Sequence, residues 1–323
     1  MNQVVSLSHV TKRYGSTDAV KDVSFDVAPG EMFGLIGPDG AGKTTTIRSI
    51  CGLVQVDSGT LSVLGHDPVR EHRAVTKGVG YFSQRFSLYG DLSIDENIAF
   101  FAEIHGMRGY EQRRTRLLDM MRLTPFRARL ADRLSGGMKQ KLALACPLVH
   151  EPRLILLDEP TTGVDPVSRR EFWKLLSEFL AEGITILMAT PYLDEAERCS
   201  RVALLDRGRL LALDTPGDLR ARLVGEVIEI VASPQEPAAA ALGGVADITD
   251  VQQFGARMHV RLAANEGEAG VARIRDALTA RGIDVESARS VPASLEDVFI
   301  SRVGEAERAR DSAGTEARAT ARQ

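Results

Sequence analysis

The sequence predicts an α/β protein with a mixed or parallel central sheet, a helical subdomain and a small α+β accessory domain toward the carboxyl end. Fully apolar runs of strand length, such as LILL at 154–157, alternate with amphipathic segments of helical length, as in a parallel sheet covered by helices. Between about 86 and 150, apolar residues recur at three- and four-residue spacing, which is typical of helices with one buried face. After Gly225 the apolar residues alternate with polar ones, as in half-exposed strands.

The length of the chain sets a domain plan. Its 323 residues suffice for one large domain and one small domain. We predict the large domain over 1–224, with the helical subdomain at about 86–150, and the accessory domain over 225–303. Residues 304–323 are polar and low in complexity, so we predict a disordered tail there.

Composition and charge argue against several classes of protein. The 40 basic and 44 acidic residues give a net charge of −4, which offers no electrostatic basis for nucleic acid as a partner. The longest apolar runs fall far short of the roughly 18–20 residues that a membrane-spanning helix needs. No basic segment followed by an apolar one opens the chain, so we expect a cytoplasmic protein. Cys51, Cys146 and Cys199 fit neither a zinc site nor a disulfide framework, and we expect them to be buried.

The first predicted elements lead to a glycine-rich loop. Strands are predicted at about 3–10, 20–28 and 31–37, and a helix at 44–53. The last strand and the helix flank GPDGAGKTT at 37–45, which fits the pattern G-x-x-x-x-G-K-[ST]. Its glycines let backbone N–H groups surround phosphates, while Lys43 supplies a cation and the Thr44 hydroxyl can coordinate Mg²⁺. The predicted nucleotide-binding residues of this loop are Gly37, Pro38, Asp39, Gly40, Ala41, Gly42, Lys43, Thr44 and Thr45.

A second glycine-rich segment opens a helix of the helical subdomain. Strands predicted at 59–65 and 78–83 precede this subdomain, and LSGGMKQ at 134–140 leads into the helical pattern MKQKLALA. Ser135, Gly136 and Gly137 therefore lie at a helix N-terminus, where backbone N–H groups and the helix dipole favour an anion. Pro147 is expected to kink or end that helix, because proline removes one backbone hydrogen bond.

Two acidic residues follow the apolar run at 154–157. Asp158 lies at the carboxyl end of this predicted strand, where ligands bind in open α/β sheets, and can hold Mg²⁺ through water. Glu159 is placed to orient or deprotonate a water molecule that attacks a phosphate. The phosphate loop and the acid pair together predict a phosphoryl-transfer site.

The remaining segments alternate between helices and strands. An amphipathic helix is predicted around Trp173, followed by a strand at 184–190 and a helix that Thr190 caps and Pro191 begins. Another helix begins at Pro216. The accessory domain has the predicted order β-α-β-β-α-β, which suggests a split βαβ fold.

These motifs resemble an ATP-binding cassette, the nucleotide-binding subunit of an ABC transporter, over roughly residues 3–220. The resemblance implies a P-loop NTPase-type fold whose cofactors are ATP and Mg²⁺. It implies that Tyr14 stacks on adenine, and that Gln84 senses the attacking water and serves with Thr44 and Asp158 as a metal ligand.

The resemblance also implies that two cassettes share each nucleotide. In this arrangement Ser135, Gly136 and Gly137 close on the γ-phosphate held by the other cassette, and Asp165 belongs to a loop that crosses the dimer interface. The stretch after Gln84 is where cassettes receive a helix of the membrane protein. Phe86, Leu88 and Tyr89 would suit that groove if they are exposed, and packing within the domain is the alternative.

The sequence departs from the family pattern at two positions. Cassettes usually carry a histidine that bridges the γ-phosphate and the catalytic glutamate, and here Pro191 stands in that position. Proline has neither a side-chain donor nor a backbone N–H. Asp39 replaces an asparagine that is common in the family. Both residues accept a left-handed turn conformation, but an added carboxylate should weaken triphosphate binding or select a partner contact.

The pattern predicts an ATPase subunit that drives a membrane exporter by ATP-dependent closure of a cassette dimer. The two departures resemble the first cassette of tandem-cassette multidrug-exporter ATPases. The expected partners are integral membrane permease subunits and a second cassette, identical or different, and the expected location is the inner face of the cell membrane. A nucleotide-gated subunit that hydrolyses almost nothing is the first alternative. A cassette acting on DNA or ribosomes is the second, although the coiled-coil insertions and zinc cysteines usual in those relatives do not occur in the sequence.

Overall fold

The computed structural model of the chain describes residues 3–84 and 88–320, with residues 312–320 described by their backbone only. It divides the chain into two compact units, Met1–Thr215 and Pro216–Gln323. The boundary therefore lies earlier than the predicted one at 224, because the helix beginning at Pro216 packs against the last helix of the second unit. Phe86, part of the predicted groove for the membrane protein, lies outside the described residues.

The first unit contains two sheets. In chain order the strands are β1 (Val5–Tyr14), β2 (Thr17–Val27), β3 (Met32–Ile36), β4 (Ser58–Val63), β5 (Val79–Phe82), β6 (Leu154–Asp158), β7 (Thr185–Thr190), β8 (Arg201–Asp206) and β9 (Arg209–Asp214). The larger sheet has the order β5-β6-β7-β3-β8-β9, and it is parallel except for β9. The strands β3, β6 and β7 are buried along their whole length, which is why they are continuous apolar runs. The smaller sheet is antiparallel, with the order β2-β1-β4.

The helices of the first unit lie mostly where the hydrophobic periodicity predicts them. In chain order they are α1 (Lys43–Ile50), α2 (His72–Gly78), α3 (Ile94–Ile104), α4 (Glu111–Met120), α5 (Gly136–Ala145), α6 (Pro166–Ala181) and α7 (Leu193–Ala196). Three of them, α3, α4 and α5, form the predicted helical region between 86 and 150. The α-helix α5 ends at Ala145 and a 3₁₀ turn follows over Cys146–Leu148, so the expected effect of Pro147 is confirmed.

The helix predicted to begin at Pro191 is shorter than expected. Tyr192 occupies the N-cap position of α7, whereas Thr190 is the last residue of β7. The Thr190 hydroxyl accepts a hydrogen bond from the Tyr192 backbone N–H at 3.1 Å and donates one to Glu195 Oε2 at 2.7 Å. The prediction that Thr190 caps this helix is therefore wrong, because its hydroxyl is committed to a buried carboxylate instead.

The second unit is built around an antiparallel sheet. Its elements are α8 (Pro216–Ala221), β10 (Glu226–Ser233), α9 (Gln235–Leu242), β11 (Ile248–Phe254), β12 (Arg257–Leu262), α10 (Glu268–Thr279), β13 (Asp284–Val291) and α11 (Leu295–Thr320). The order from β10 to β13 is β-α-β-β-α-β, as the alternation of apolar residues predicts. The sheet has the order β11-β12-β10-β13, and its residues Ile228, Ile230 and Val260 share a core with Leu242 and Ile274 of the two helices.

The end of the chain differs from the prediction of a disordered tail over 304–323. The helix α11 continues to Thr320. This stretch is rich in Ala, Glu and Arg, which are strong helix formers. Polar composition does not lower helix propensity, so it was not sufficient to predict disorder in this segment.

The structure also bears on membrane-spanning helices and on the three cysteines. Among the described residues, no helix is long and apolar enough to cross a membrane. Cys51, Cys146 and Cys199 are free and buried, as expected. Burial raises the pKa of each of these thiols, so they stay protonated at neutral pH.

Candidate active site

The phosphate loop connects β3 to α1 and requires glycine at two places. A Cβ at Gly37 would lie 2.2 Å from the backbone oxygen of Leu205, so the loop could not pass so close to β8 with any larger residue. Gly42 has a φ of 99°, and a Cβ there would lie 2.3 Å from the backbone oxygen of Ala19. These approaches turn the loop tightly into the N-terminus of α1, where N–H groups are free to bind an anion.

The Lys43 side chain binds back to the start of the phosphate loop. Its Nζ donates hydrogen bonds to the backbone oxygens of Gly37 at 2.8 Å and Pro38 at 3.0 Å. The same ammonium lies 3.4 Å from Glu159 Oε1, and the side chains of Lys43 and Glu159 are only 4% and 7% exposed. A buried cation thus lies between the phosphate loop and the acid pair, where it can interact with an anionic ligand or with the carboxylate.

Asp158 is fully buried at the end of β6. Its Oδ1 accepts a hydrogen bond from the Thr44 hydroxyl at 2.9 Å, while its buried Oδ2 has no hydrogen-bond partner among the residues that the structure describes. Burial raises the pKa of Asp158, the Thr44 hydroxyl opposes that rise, and the neighbouring Glu159 adds to it. A carboxylate oxygen left without a partner in the interior is unfavourable, so this position is suited to a cation.

The residues around Asp158 fit Mg²⁺ held jointly with a nucleotide. No group of three or more His, Cys, Asp or Glu side chains that could hold a metal occurs in the part of the chain that the structure describes. Mg²⁺ commonly takes one or two protein oxygens together with phosphate oxygens and water. Thr44 and Asp158 supply two such oxygens beside the phosphate loop.

Glu159 adopts a strained backbone conformation. Its φ is 51°, which is uncommon for a residue other than glycine and is often found at functional sites. Its backbone N–H donates to the oxygen of Ala189 in β7 at 2.9 Å. Its Oε2 accepts a hydrogen bond from Gln84 Nε2 at 2.9 Å. The side chain is therefore fixed between the end of β7, Gln84 and Lys43.

The predicted nucleotide-binding residues from Asp39 to Thr45 line a cavity of about 550 Å³, here called the phosphate-loop cavity. Gly37 and Pro38 do not line it, and their backbone oxygens accept the hydrogen bonds of Lys43. The structure brings residues of the phosphate loop together with Gln84 and Glu159. It adds the first residues of β2 and Arg207 in the turn between β8 and β9, which no sequence motif indicated. The lining residues are Thr17, Asp18, Ala19, Asp39, Gly40, Ala41, Gly42, Lys43, Thr44, Thr45, Gln84, Glu159 and Arg207.

Tyr14 does not line the phosphate-loop cavity. It lies at the end of β1, 50% exposed, and pairs with Thr17, which does line it. The Lys12 ammonium lies 5.5 Å from the centre of its ring. Tyr14 is therefore near the rim of the cavity, and its contact with adenine stays a prediction.

The segment containing Ser135, Gly136 and Gly137 borders a second cavity of about 500 Å³. Ser135 is the N-cap of α5, and its hydroxyl accepts a hydrogen bond from the Met138 N–H at 3.4 Å. Gly136 and Gly137 line this second cavity, which also reaches Gln84 and Glu159. The two cavities therefore meet at the same pair of residues.

Asp165 lines the second cavity and also has a structural role. Its Oδ1 accepts hydrogen bonds from the N–H groups of Val167 and Ser168, both at 3.0 Å, so it caps α6. Hydrogen bonds from Ser168 lower the pKa of Asp165, which keeps it ionised. Helix capping alone accounts for an aspartate at this position.

Of the predicted groove for the membrane protein, two residues are described. Leu88 is half-buried and lines the second cavity. Tyr89 is 45% exposed, and its ring packs edge-on against Phe100 at 4.6 Å between centres. Tyr89 thus has both a partner within the domain and an exposed face.

Pro191 follows β7 directly, two residues after the carbonyl that holds the Glu159 backbone. Each of the six histidines has a contact elsewhere: His9 with Asp22, His66 with Glu71, His72 with Pro68, His105 with His150, and His259 with Asp297. None of them lines either cavity. That Pro191 leaves this site without a switch histidine stays a prediction.

Comparisons with known proteins agree with this geometry. Residues 20–162 match the family model described as ABC transporter. The probable multidrug ABC transporter ATP-binding protein YbhF of Escherichia coli (strain K12) is 45% identical over 237 residues, 72% of this chain, but the match spans only 41% of that protein's length. The linearmycin resistance ATP-binding protein LnrL of Bacillus subtilis (strain 168) is 32% identical over 93% of this chain and 98% of its own. A solved structure of the ATP-binding subunit of an ABC transporter superposes with a TM-score of 0.62 at 32% identity, covering 68% of this chain and 92% of its own.

Proposed function

The chain belongs to the family of ABC transporter ATP-binding proteins, and we propose that it binds and hydrolyses ATP to drive export across a membrane. The observation that carries this proposal is that Lys43, Thr44 and Glu159 line one cavity, while the Thr44 hydroxyl donates a hydrogen bond to the buried Asp158. The site combines a cationic cradle for phosphates, two oxygens for a cation and a buried carboxylate. These are the parts that phosphoryl transfer to water requires.

Each side chain of the site has its own role in the proposed hydrolysis. The phosphate loop and the N-terminus of α1 bind the β- and γ-phosphates, and Lys43 exchanges its backbone acceptors for phosphate oxygens. Mg²⁺, held by Thr44 and Asp158, would neutralise charge on the phosphates. Glu159 orients or deprotonates the attacking water, and Gln84 holds one oxygen of Glu159 in place through the 2.9 Å hydrogen bond.

We further propose that this site is degenerate, because Pro191 offers no donor to the γ-phosphate. The loss of one hydrogen bond made in the transition state typically lowers a rate by about 10²–10³. Glu159 then supports turnover that is slower than in a cassette with the histidine. Asp39 lines the phosphate-loop cavity. Its carboxylate repels a triphosphate and so weakens ATP binding, which lowers turnover further.

The proposed working unit is a dimer of cassettes on permease subunits at the inner face of the cell membrane. Ser135 caps α5 and the two glycines after it open the helix, and their N–H groups suit a γ-phosphate presented by an opposing cassette. ATP would then draw the two cassettes together, and hydrolysis would release them. The names of the relatives YbhF and LnrL, which refer to multidrug transport and to linearmycin resistance, support a drug as the exported cargo.

The experiment that tests this proposal measures ATP-dependent association with the partner cassette and export of a drug in cells. Lys43→Ala should abolish both, because the phosphates lose their cation. Ser135→Arg should preserve ATP binding but block association, because the bulky side chain fills the anion site of α5. The proposal is contradicted if both variants retain the association and export of the unmodified chain.

Pro191 also favours a second candidate, a nucleotide-gated subunit that binds ATP but barely hydrolyses it. Such a subunit would support the complete site of a partner. Glu159→Gln would then leave export unchanged, because no chemistry depends on Glu159. Under the first proposal the same substitution stops export that depends on this site.

A further inference from the structure

A buried carboxylate joins the ends of two neighbouring strands behind the active site. Glu195 of α7 is 1% exposed. Its Oε1 accepts a hydrogen bond from the Thr161 hydroxyl, and its Oε2 accepts one from the Thr190 hydroxyl at 2.7 Å. Thr161 lies in the loop after β6, and Thr190 ends β7. One side chain therefore bridges both strand ends.

This bridge runs beside the backbone contact that holds Glu159. Thr161 follows Glu159 by two residues, and the Glu159 N–H is bound to the oxygen of Ala189, the neighbour of Thr190. The same two segments are thus joined once through the backbone and once through Glu195. A strained residue such as Glu159 keeps its conformation only when its surroundings fix it.

Arg169 ties the bridge to a third element. Its Nε lies 3.8 Å from Glu195 Oε1, and its Nη1 lies 3.7 Å from Asp194. Its guanidinium also lies 4.8 Å from the centre of the Tyr192 ring. Arg169 belongs to α6, the helix that Asp165 caps. The carboxylate of Glu195 is therefore shared by the loop after β6, the end of β7 and the start of α6.

We propose that Glu195 is a positioning residue that holds Glu159 in its reactive geometry. A buried acid is costly in free energy, and an apolar residue would fill the same space at lower cost. Two threonine hydroxyls donate hydrogen bonds to Glu195, which indicates that a carboxylate is needed at this position. In this chain, where Pro191 provides no side-chain link between β7 and the reacting groups, the Glu195 bridge supplies a link through Thr161.

The inference rests on the proposed ATP hydrolysis, and steady-state kinetics of the purified chain test it. Glu195→Ala should lower kcat by about 100-fold with KM for MgATP within twofold, since misplacement of a reacting group by about 1 Å costs about that much. Glu195→Gln should stay within about fivefold of the unmodified kcat. Its amide oxygen can accept from one threonine and its NH₂ can donate to the other. The exposed Asp194 provides the control, because Asp194→Asn should change neither parameter.

Two milder variants and a second readout keep the test decisive. Thr161→Val and Thr190→Val each remove one hydroxyl at constant shape, and each should lower kcat by about 10-fold even if Glu195→Ala does not fold. Hydrogen exchange of the peptide 159–165 without nucleotide should rise about 10-fold in Thr161→Val. This readout does not depend on turnover, so it still decides the positioning role if the proposed hydrolysis proves wrong. An unchanged exchange rate, or a Glu195→Gln variant as slow as Glu195→Ala, overturns the inference.

Discussion

Asp158→Asn is expected to stabilise the nucleotide-free chain while removing Mg²⁺-dependent ATP hydrolysis. Asp158 is fully buried, and one of its carboxylate oxygens has no hydrogen-bond partner within the described part of the chain. Burial and the adjacent carboxylate of Glu159 both raise the pKa of Asp158, which means that the folded chain disfavours its charge. The amide removes that charge and keeps an acceptor for the Thr44 hydroxyl.

The size of the effect follows from the burial of that oxygen. Leaving a buried polar group unpaired costs about 1–3 kcal/mol, and more for a charged one. The amide still leaves an N–H₂ group in the same place, so we expect a net stabilisation of about 1–3 kcal/mol. At about 3 °C per kcal/mol for a domain of this size, Tm should rise by about 3–9 °C. Loss of the cation site should lower the rate of ATP hydrolysis by at least about 100-fold.

Fluorescence of Trp173 reports thermal unfolding of the first unit. Trp173 is the only tryptophan of the chain and is buried in α6. Asp158→Asn should unfold at a higher temperature than the unmodified chain in EDTA and should gain no further stability from MgATP. Thr44→Val is the matched variant, because it removes the hydroxyl that donates to Asp158 and should lower Tm in EDTA. The argument fails if Asp158→Asn unfolds at or below the temperature of the unmodified chain, or if MgATP still stabilises it.

Three further predictions address other parts of the site and the fold. Pro191→His should raise kcat at saturating MgATP by about 10²-fold, because the imidazole restores a donor to the γ-phosphate. Gly42→Ala should weaken ATP binding by at least about 10-fold in a fluorescent-nucleotide titration, because its Cβ would lie 2.3 Å from a backbone oxygen at a φ of 99°. Gly30→Ala, at a φ of 67° with open space around its Cβ, should leave binding unchanged. Burial lowers the pKa of His150 from 6.5 to about 4, so the unfolded chain takes up its proton first and stability falls as pH drops from 6.5 toward 4. His150→Gln should remove up to about 3 kcal/mol of that loss in urea unfolding.

Each of these predictions has an outcome that counts against it. A Pro191→His rate equal to that of Pro191→Ala would mean that the position does not reach the phosphate. Equal binding by the Gly42 and Gly30 variants would mean that the close approach at Gly42 is not needed. A His150→Gln chain that loses stability with acid as steeply as the unmodified chain would place the titrating group elsewhere.

Local patterns in the sequence predicted the elements that carry the chemistry. The strand before Gly37, the helix after Lys43 and the buried strand before Asp158 each have a composition that leaves few alternatives. The parallel sheet then brings the carboxyl ends of these strands together, since β6, β7 and β3 are neighbours. The order β-α-β-β-α-β of the second unit was predictable for the same reason, from the alternation of apolar residues.

Contacts between distant segments could not be predicted in this way. Glu195 and Thr161 are separated by 34 positions, and no local pattern marks either as a partner of the other. The same holds for Arg207, which reaches the phosphate-loop cavity only because β8 lies beside β3. The helix expected from Pro191 begins only at Leu193, and the Thr190 hydroxyl donates to Glu195 instead of capping it.

The most direct test of hydrolysis at this site is a single-turnover measurement of phosphate release, with the protein in excess over MgATP, comparing the unmodified chain with Glu159→Gln. We expect the unmodified chain to release phosphate slowly and Glu159→Gln to be slower by about 10²–10⁴ while binding ATP as tightly, because the substitution removes only the base. Equal rates for the two proteins would contradict the account, since Glu159 would then take no part in the chemistry.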